Sequence, residues 1–130
     1  MPEISSGLIG DFPYNIWKHD AMGHLCGYLG IPPGHLWYNK HYDEIDADVH
    51  GGLTFAGKEN GGNYSQSYPM DIWWIGFDCA HLGDWTIMDD KYRLIDNNPP
   101  HKWTRDEVFN ELVQLAEQAY AQTEITTNGL

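Results

Sequence analysis

The sequence predicts one α+β domain in which a small, mainly antiparallel sheet carries a C-terminal amphipathic helix on one face. Two observations support this class: apolar runs with a period of two alternate with turn residues over most of the chain, and a helical period appears near its end. The length of 130 residues suits a single domain over 1–130. No repeat or linker divides the chain, so one core is expected.

The first two predicted strands form a hairpin. Residues 14–19 and 24–31 flank 20–23, whose composition is typical of a tight turn. Alternation along the second strand separates an aliphatic face from a polar one. The aliphatic face holds Leu25, Leu29 and Ile31, and the other face holds His24, Cys26 and Tyr28.

Two further strands are predicted over 49–56 and 72–79. In the first of these, alternation puts Val49, Leu53 and Phe55 on one face and His50 and Thr54 on the other. In the second, Trp73, Ile75, Phe77 and Cys79 alternate with Ile72, Trp74 and Asp78. This strand is apolar on both faces, which is typical of a central, covered strand, so Asp78 at its end needs a partner. The glycine-rich stretch 57–70 between them predicts a loop.

The helix is predicted over 104–121. Thr104 and Glu107 form a capping-box pattern, and Val108, Leu112, Leu115 and Ala119 then recur at helical spacing. The polar stretch 122–130 is expected to fray. A short helix is also predicted over 89–95, ended by the prolines that follow it.

The charge balance excludes one class of partner. The chain has 7 Lys and Arg against 19 Asp and Glu, a net charge of −12, whereas a duplex-binding surface needs clustered cations. DNA and RNA duplexes are therefore not expected as partners. The sequence has no apolar run long enough to span a membrane and its N-terminus lacks signal-peptide features, so we expect no membrane partner and a cytoplasmic location. In that compartment, Cys26 and Cys79 are expected to be thiols or ligands rather than a disulfide.

Several blocks of the sequence resemble an uncharacterised family of small proteins from bacteriophages and some bacteria, often actinobacteria. The matching blocks are GHLCGYLGIPPGH at 23–35, YDEI at 42–45, VHGGLTF at 49–55 and WWIGFDCAHLGD at 73–84. Family members often carry a further cysteine before the Trp pair, and its absence here weakens any metal site that needs that thiol. The resemblance implies a phage context, and hence the cytoplasm of a host cell, but no mechanism. Small phage proteins often counteract host defence, and some do so by capturing nucleotide-derived immune signals.

That context, together with the glycines and aromatic rings of the chain, predicts a ligand-binding pocket. Glycine pairs let backbone N–H groups approach a ligand, and exposed rings stack on planar groups. The principal hypothesis is therefore a protein that captures a small nucleotide-like ligand, as a sponge for an immune signal. The candidate binding residues are His24, Tyr28, His35, Tyr42, Asp43, Gly51, Gly52, Thr54 and Trp74.

A second hypothesis is a hydrolase that cleaves such a nucleotide. A histidine oriented by a carboxylate acts as a general base, and two such pairs also suit a divalent metal in a phosphodiesterase-like reaction. The candidate catalytic residues, expected where strand ends meet loops, are His50, Asp78, His81 and Asp84. The same residues also suit a hydrogen-bonded polar core, and the sequence leaves these alternatives open.

A zinc site is a weaker hypothesis. His24 and Cys26, and likewise Cys79 and His81, are separated by one residue, which puts each pair on one face of a strand. Paired zinc ligands usually have two to four residues between them. The spacing therefore favours buried cysteines over a metal site. The sequence identifies no cofactor. A third class, an acidic inhibitor that binds a protein partner, and a homo-oligomeric state both stay open.

Overall fold

A computed structural model describes residues 3–58, 71–81, 84–88 and 100–128. Its five strands form one antiparallel sheet in the order β1-β2-β3-β5-β4. The elements are β1 (Glu3–Ile9), β2 (Phe12–Lys18), β3 (Leu25–Ile31), β4 (Phe55–Gly57), β5 (Trp73–Asp78) and the helix α1 (Arg105–Asn128), with a 3₁₀ turn at Tyr42–Glu44. The predicted α+β class, with the C-terminal helix packed against the sheet, is confirmed.

The main core lies between the sheet and α1. The helix residues Val108, Leu112 and Leu115 are fully buried in this core, where α1 packs chiefly on β3 and also on β2 and β1. Full burial of one such side chain contributes about 1.5–3 kcal/mol, so this interface is the main source of stability. The opposite face of the sheet carries a second buried cluster, formed by Trp17, Cys26, Tyr28, Ile72 and Trp74. The predicted alternation in β3 and β5 is thus confirmed.

The helix begins as predicted. Thr104 Oγ1 accepts a hydrogen bond from the Glu107 backbone N at 3.2 Å, and Glu107 Oε1 accepts one from the Thr104 N at 2.9 Å. The bond that the Glu107 carboxylate accepts from Thr104 N, with those to His101 Nε2 at 2.7 Å and to the Thr104 hydroxyl at 3.1 Å, holds the pKa of Glu107 below its usual value despite some desolvation. The helix then continues to Asn128, past the predicted end at 121. No glycine or proline occurs between Arg105 and Asn128, so the first residue that favours a helix end is Gly129.

The prediction of a strand over 49–56 is wrong for most of that range. Gly51 and Gly52 have φ angles of 70° and 80°, a left-handed conformation that turns the chain. The strand begins only at Phe55, which packs against the second cluster, whereas Val49 belongs to the main core. Val49 and Phe55 therefore do not share a face.

The strand β1 was not predicted. Its side chains alternate between exposed and half-buried, and it contains two serines and a glycine, so it lacks a strong apolar pattern. Pairing with β2 over Glu3–Ile9 makes it an edge strand. Long-range pairing, rather than local propensity, explains why it is extended.

The predicted helix 89–95 and the predicted loop from residue 59 onward lie outside the described residues. Within the described ranges, no helix is both long enough and apolar enough to cross a membrane.

Candidate functional site

Four polar and aromatic side chains meet at the edge of the sheet where β3 begins and β5 ends. They are His50, His81, Asp84 and Trp103, which we call the His50–Asp84 cluster. The main chain links the same strand ends, because Cys79 N donates to Leu25 O at 3.0 Å.

Asp84 is the centre of this cluster. Its Oδ2 lies 2.7 Å from His50 Nε2 and accepts from the His81 backbone N at 3.0 Å, while its Oδ1 accepts from Trp103 Nε1 at 2.9 Å. Burial opposes ionisation of a side chain that is only 4% exposed. The hydrogen bonds from His50, His81 and Trp103 outweigh burial, so the pKa of Asp84 lies below its usual value.

The ionised carboxylate determines the tautomer of His50. A carboxylate only accepts hydrogen bonds, so His50 Nε2 donates to Asp84 and the neutral ring keeps its lone pair on Nδ1. The His50 ring lies 4.2 Å from the Trp103 ring, and its backbone N donates to Glu111 Oε1 at 2.7 Å. Asp84 and Trp103 therefore orient the His50 ring, while the bond to Glu111 holds its backbone.

Asp78 extends the cluster through its contact with His81. His81 Nε2 lies 3.3 Å from Asp78 Oδ1, but it is buried and has no hydrogen-bond partner among the described residues. Asp78 accepts from the Ala80 N at 3.1 Å and from Thr54 Oγ1 at 3.3 Å. A Cβ on Gly51 would lie 2.1 Å from the His81 ring, so the site requires glycine there.

A cavity of about 200 Å³ adjoins the cluster, and Trp103 belongs to both. We call it the Trp85–Trp103 pocket; its wall includes Lys18, His24, Cys79, Trp85, Lys102 and Trp103. Lys102 Nζ lies 4.2 Å from the centroid of the Trp85 ring, a cation–π contact. The wall thus combines two indoles with two positive charges.

His24 is the titratable ring in this wall. It stacks on His19 with 4.8 Å between ring centroids, and its Nδ1 is buried with no hydrogen-bond partner in the described part of the chain. Burial first, and then the neighbouring His19, lower the pKa of His24. The ring is consequently neutral at pH 7.

Two of the predicted binding residues, Tyr28 and Trp74, lie on the face of the sheet that is opposite α1. Trp74 is fully buried there, and the Tyr28 ring meets Phe55 edge-on at 5.6 Å. Burial raises the pKa of Tyr28 well above its usual range. The structure therefore does not bring Tyr28 and Trp74 to the His50–Asp84 cluster.

Three other candidates lie along the connection after β3. His35 Nε2 lies 2.7 Å from Ala119 O and its Nδ1 accepts from Trp37 N at 2.9 Å, so both ring nitrogens are used in packing. Tyr42 and Asp43 belong to the 3₁₀ turn, where Tyr42 lies against His41. No described contact joins these three residues to the cluster.

Gly52 stabilises the turn next to the cluster. Its N donates to Val49 O at 2.9 Å, and a Cβ built on it would meet nothing within 4 Å. Of the two neighbouring glycines, only Gly51 contacts the cluster.

The cysteines do not share a site. Both are free and buried, but Cys26 belongs to the second cluster and Cys79 to the main core. Burial raises the pKa of Cys26 to about 12 and raises that of Cys79 as well, so both are protonated thiols at pH 7. Zinc binds the deprotonated thiolate, so the protonated form of these cysteines is not the one that binds zinc. Within the described ranges, no three His, Cys, Asp or Glu side chains are grouped so that they could hold a metal ion.

Sequence analysis missed Trp103, Lys18 and Lys102 as site residues. Trp103 and Lys102 directly precede the capping residue Thr104, and Lys18 ends β2. The available signal was the scarcity of cations, since a Lys next to a Trp in so acidic a chain is an unusual pair.

The chain has no significant match to a protein-family model, a curated protein or a solved structure. The geometry of the site is therefore the basis for a functional proposal, and the resemblance to the phage and bacterial family stays an expectation.

Proposed function

We propose that this protein binds a small, planar, anionic ligand of the nucleotide class in the Trp85–Trp103 pocket and holds it without cleaving it. One observation carries the proposal. Two of the seven basic residues of a chain with net charge −12 line a single pocket, together with two indole rings. Such a combination suits a ligand that is flat at one end and negatively charged at the other.

The two halves of the ligand would meet different groups. Stacking of a base on an aromatic ring contributes about 1–3 kcal/mol, which the indoles of Trp85 and Trp103 can supply. Lys18 and Lys102 offer ammonium donors to a phosphate, and charge-assisted bonds of this kind are the strong ones. The contact with Trp85 already holds Lys102 against the wall, which lowers the entropy cost of binding.

The size of the pocket limits the range of ligands that fit it. Pockets for drug-sized ligands usually measure about 300–1,000 Å³, whereas this one is about 200 Å³. It suits one base and one phosphate, such as a mononucleotide or one end of an ADP-ribose-type molecule, better than a whole cyclic dinucleotide.

The biological role that we propose is capture of a nucleotide-derived immune signal in the cytoplasm of a host cell. It rests on the resemblance to phage proteins and on the chemistry of the pocket. A protein that only sequesters a signal needs a complementary pocket and no reacting group inside it.

Hydrolysis of the same ligand is the second candidate, and the His50–Asp84 contact favours it. In such a reaction His50 Nδ1 would take a proton from the water that attacks phosphorus, and the leaving oxygen would gain a proton from solvent or from His81. Against this candidate, His50 does not line the pocket, and the Trp103 ring that it contacts does. Capture is therefore the better-supported function.

The experiment is incubation of the protein with AMP, ADP-ribose and cyclic nucleotides, followed by removal of the protein and analysis of the filtrate before and after heating. A nucleotide that is depleted and then released intact indicates capture, whereas a product of changed mass indicates hydrolysis. No depletion of any nucleotide would contradict both candidates.

Matched lysine variants test the site. We expect Lys102→Met and Lys18→Met each to weaken nucleotide binding about tenfold, equivalent to about 1.4 kcal/mol, because each removes a charged donor to the phosphate. Lys40→Met removes the same charge from an exposed position in the β3–β4 connection and is expected to bind normally. Equal effects in all three variants would show that net charge, and not the pocket, governs binding.

A further inference from the structure

A second cavity, of about 350 Å³, lies between α1 and the turn that joins β1 to β2. Its apolar lining includes Ile9, Val113, Ala116 and Tyr120, and its charged lining residues are Asp11 and Glu117. We call it the α1 groove. It lies on the helix side of the sheet, and no described residue lines both this cavity and the Trp85–Trp103 pocket.

The groove exposes apolar surface that the fold leaves uncovered. Tyr120 is 62% exposed although it follows the buried Ala119, and Ile9 and Val113 are only half-buried. A single exposed ring is ordinary, but several apolar side chains around one concavity form a site into which another side chain fits. The concave shape favours an inserted anchor over a flat contact.

The charge around the groove determines what can bind there. Asp11 and Glu117 are both exposed carboxylates, and no Lys or Arg is among the described residues that line the cavity. A second copy of this chain would bring a net charge of −12 and a rim of the same sign, which opposes self-association. A positively charged partner gains from the same field.

We propose that the α1 groove docks a basic amphipathic helix of a partner protein. An apolar side chain of that helix enters between Val113 and Tyr120, and Lys or Arg residues beside it pair with Asp11 and Glu117. This is helix-in-groove recognition, in which anchors at i, i+3, i+4 and i+7 supply affinity and the flanking charges supply orientation. The site is independent of the proposed nucleotide pocket.

The probe is a synthetic Leu/Lys peptide with leucines at i, i+3, i+4 and i+7, and binding is followed by calorimetry and by amide chemical shifts. Two peptides serve as controls, one with the same residues in scrambled order and one with Glu in place of Lys. We expect only the ordered Leu/Lys peptide to bind, with shifts concentrated at 9–12 and 113–120. Equal binding of the scrambled peptide would overturn the proposal, since it would indicate attraction by charge alone.

Charge reversal makes the test specific. The double variant Asp11→Lys with Glu117→Lys should weaken binding of the Leu/Lys peptide by at least about tenfold and create binding of the Leu/Glu peptide. The matched variant Asp43→Lys with Asp46→Lys changes the net charge equally at exposed positions in the β3–β4 connection, and it should bind like the parent protein. An equal loss in both double variants would overturn the proposal.

A further variant shows whether a second copy of the chain occupies the groove instead. Val113→Arg places a cation in the groove, and sedimentation without peptide compares its mass with that of the parent. A parent dimer that this substitution converts to a monomer would identify a self-interface and refute the proposed partner. Nucleotide binding is measured alongside, and it should be unchanged in every groove variant.

Discussion

The two ends of β3 use histidine in opposite ways. Beyond Ile31, His35 spends both ring nitrogens on the backbone groups of Trp37 and Ala119 and so fastens the chain to α1. Before Leu25, His24 keeps a buried Nδ1 without a partner among the described residues. The same residue type therefore closes one end of the sheet and leaves the other end open to further bonding.

The difference indicates where function lies. A buried polar atom without a partner costs about 1–3 kcal/mol, so a fold that retains two at one end forgoes stability there. His24 Nδ1 and His81 Nε2 are two such atoms, and both belong to the end that carries the Trp85–Trp103 pocket and the His50–Asp84 cluster. A ligand that bonds to such an atom restores part of this cost, whereas both ring nitrogens of His35 are already bonded.

The largest effect that we expect comes from Asp84→Ala. It removes the acceptor of three hydrogen bonds and leaves two backbone or indole N–H groups and one imidazole unpaired, at a cost of about 3–5 kcal/mol. Urea unfolding followed by tryptophan fluorescence measures it. Asp84→Asn retains one oxygen acceptor and should lose roughly half as much. A loss below about 1 kcal/mol for the alanine variant would mean that the cluster is not a structural centre.

A pair of glycine substitutions compares the two ends directly. Gly34 and Gly51 both have positive φ, so alanine at either costs about 1–2 kcal/mol in backbone strain. Nothing lies within 4 Å of a Cβ on Gly34, whereas a Cβ on Gly51 collides with the His81 ring. We therefore expect Gly51→Ala to lower the melting temperature more than Gly34→Ala does, and to displace His81. Equal melting temperatures would show that the loop around Gly51 relaxes freely.

His35→Leu tests the closed end. The substitution removes two hydrogen bonds, but leucine has similar bulk and still packs against Phe12 and Trp37. We therefore expect the free energy of unfolding to fall by about 1–2 kcal/mol. Nucleotide binding should be unaffected once the protein is folded. Binding lost at a temperature where the variant is fully folded would contradict the division between the two ends.

The smallest effect is a dependence of stability on pH through His24. Its folded pKa lies below the unfolded value of 6.5, so the unfolded chain binds the proton more readily. The stability contributed by the neutral ring is complete above pH 6.5 and is lost as the pH falls through the folded pKa. Asp84 acts in a separate window, because its contribution is lost only below its usual 3.8.

Melting temperatures from pH 8 to pH 5 measure this effect in the parent protein and in His24→Gln. The parent should lose stability over this range, and the variant should lose less because glutamine does not titrate. Identical curves for the parent and His24→Gln would remove His24 as the cause.

Much of the fold followed from local patterns. The capping box at Thr104 and Glu107 placed the start of α1, and the alternation in β3 and β5 separated the two faces correctly. Both signals depend on neighbouring residues, which the sequence displays directly. The strand prediction over 49–56 was wrong because two adjacent glycines with positive φ form a turn there. The strand β1 was missed because only its pairing with β2 keeps it extended.

The candidate site divides in the same way. The sequence by itself indicated His50, Asp78, His81 and Asp84 as candidate ionisable groups, and it showed that the chain has only seven Lys and Arg residues. Only the tertiary structure decided that Asp84 joins His50 to Trp103 and that Lys18 and Lys102 share one pocket. These residues come from segments far apart along the chain, and their meeting depends on the pairing of strands and the path of α1. A period of two or 3.6 specifies which face a side chain occupies, but it does not specify which distant side chain lies opposite.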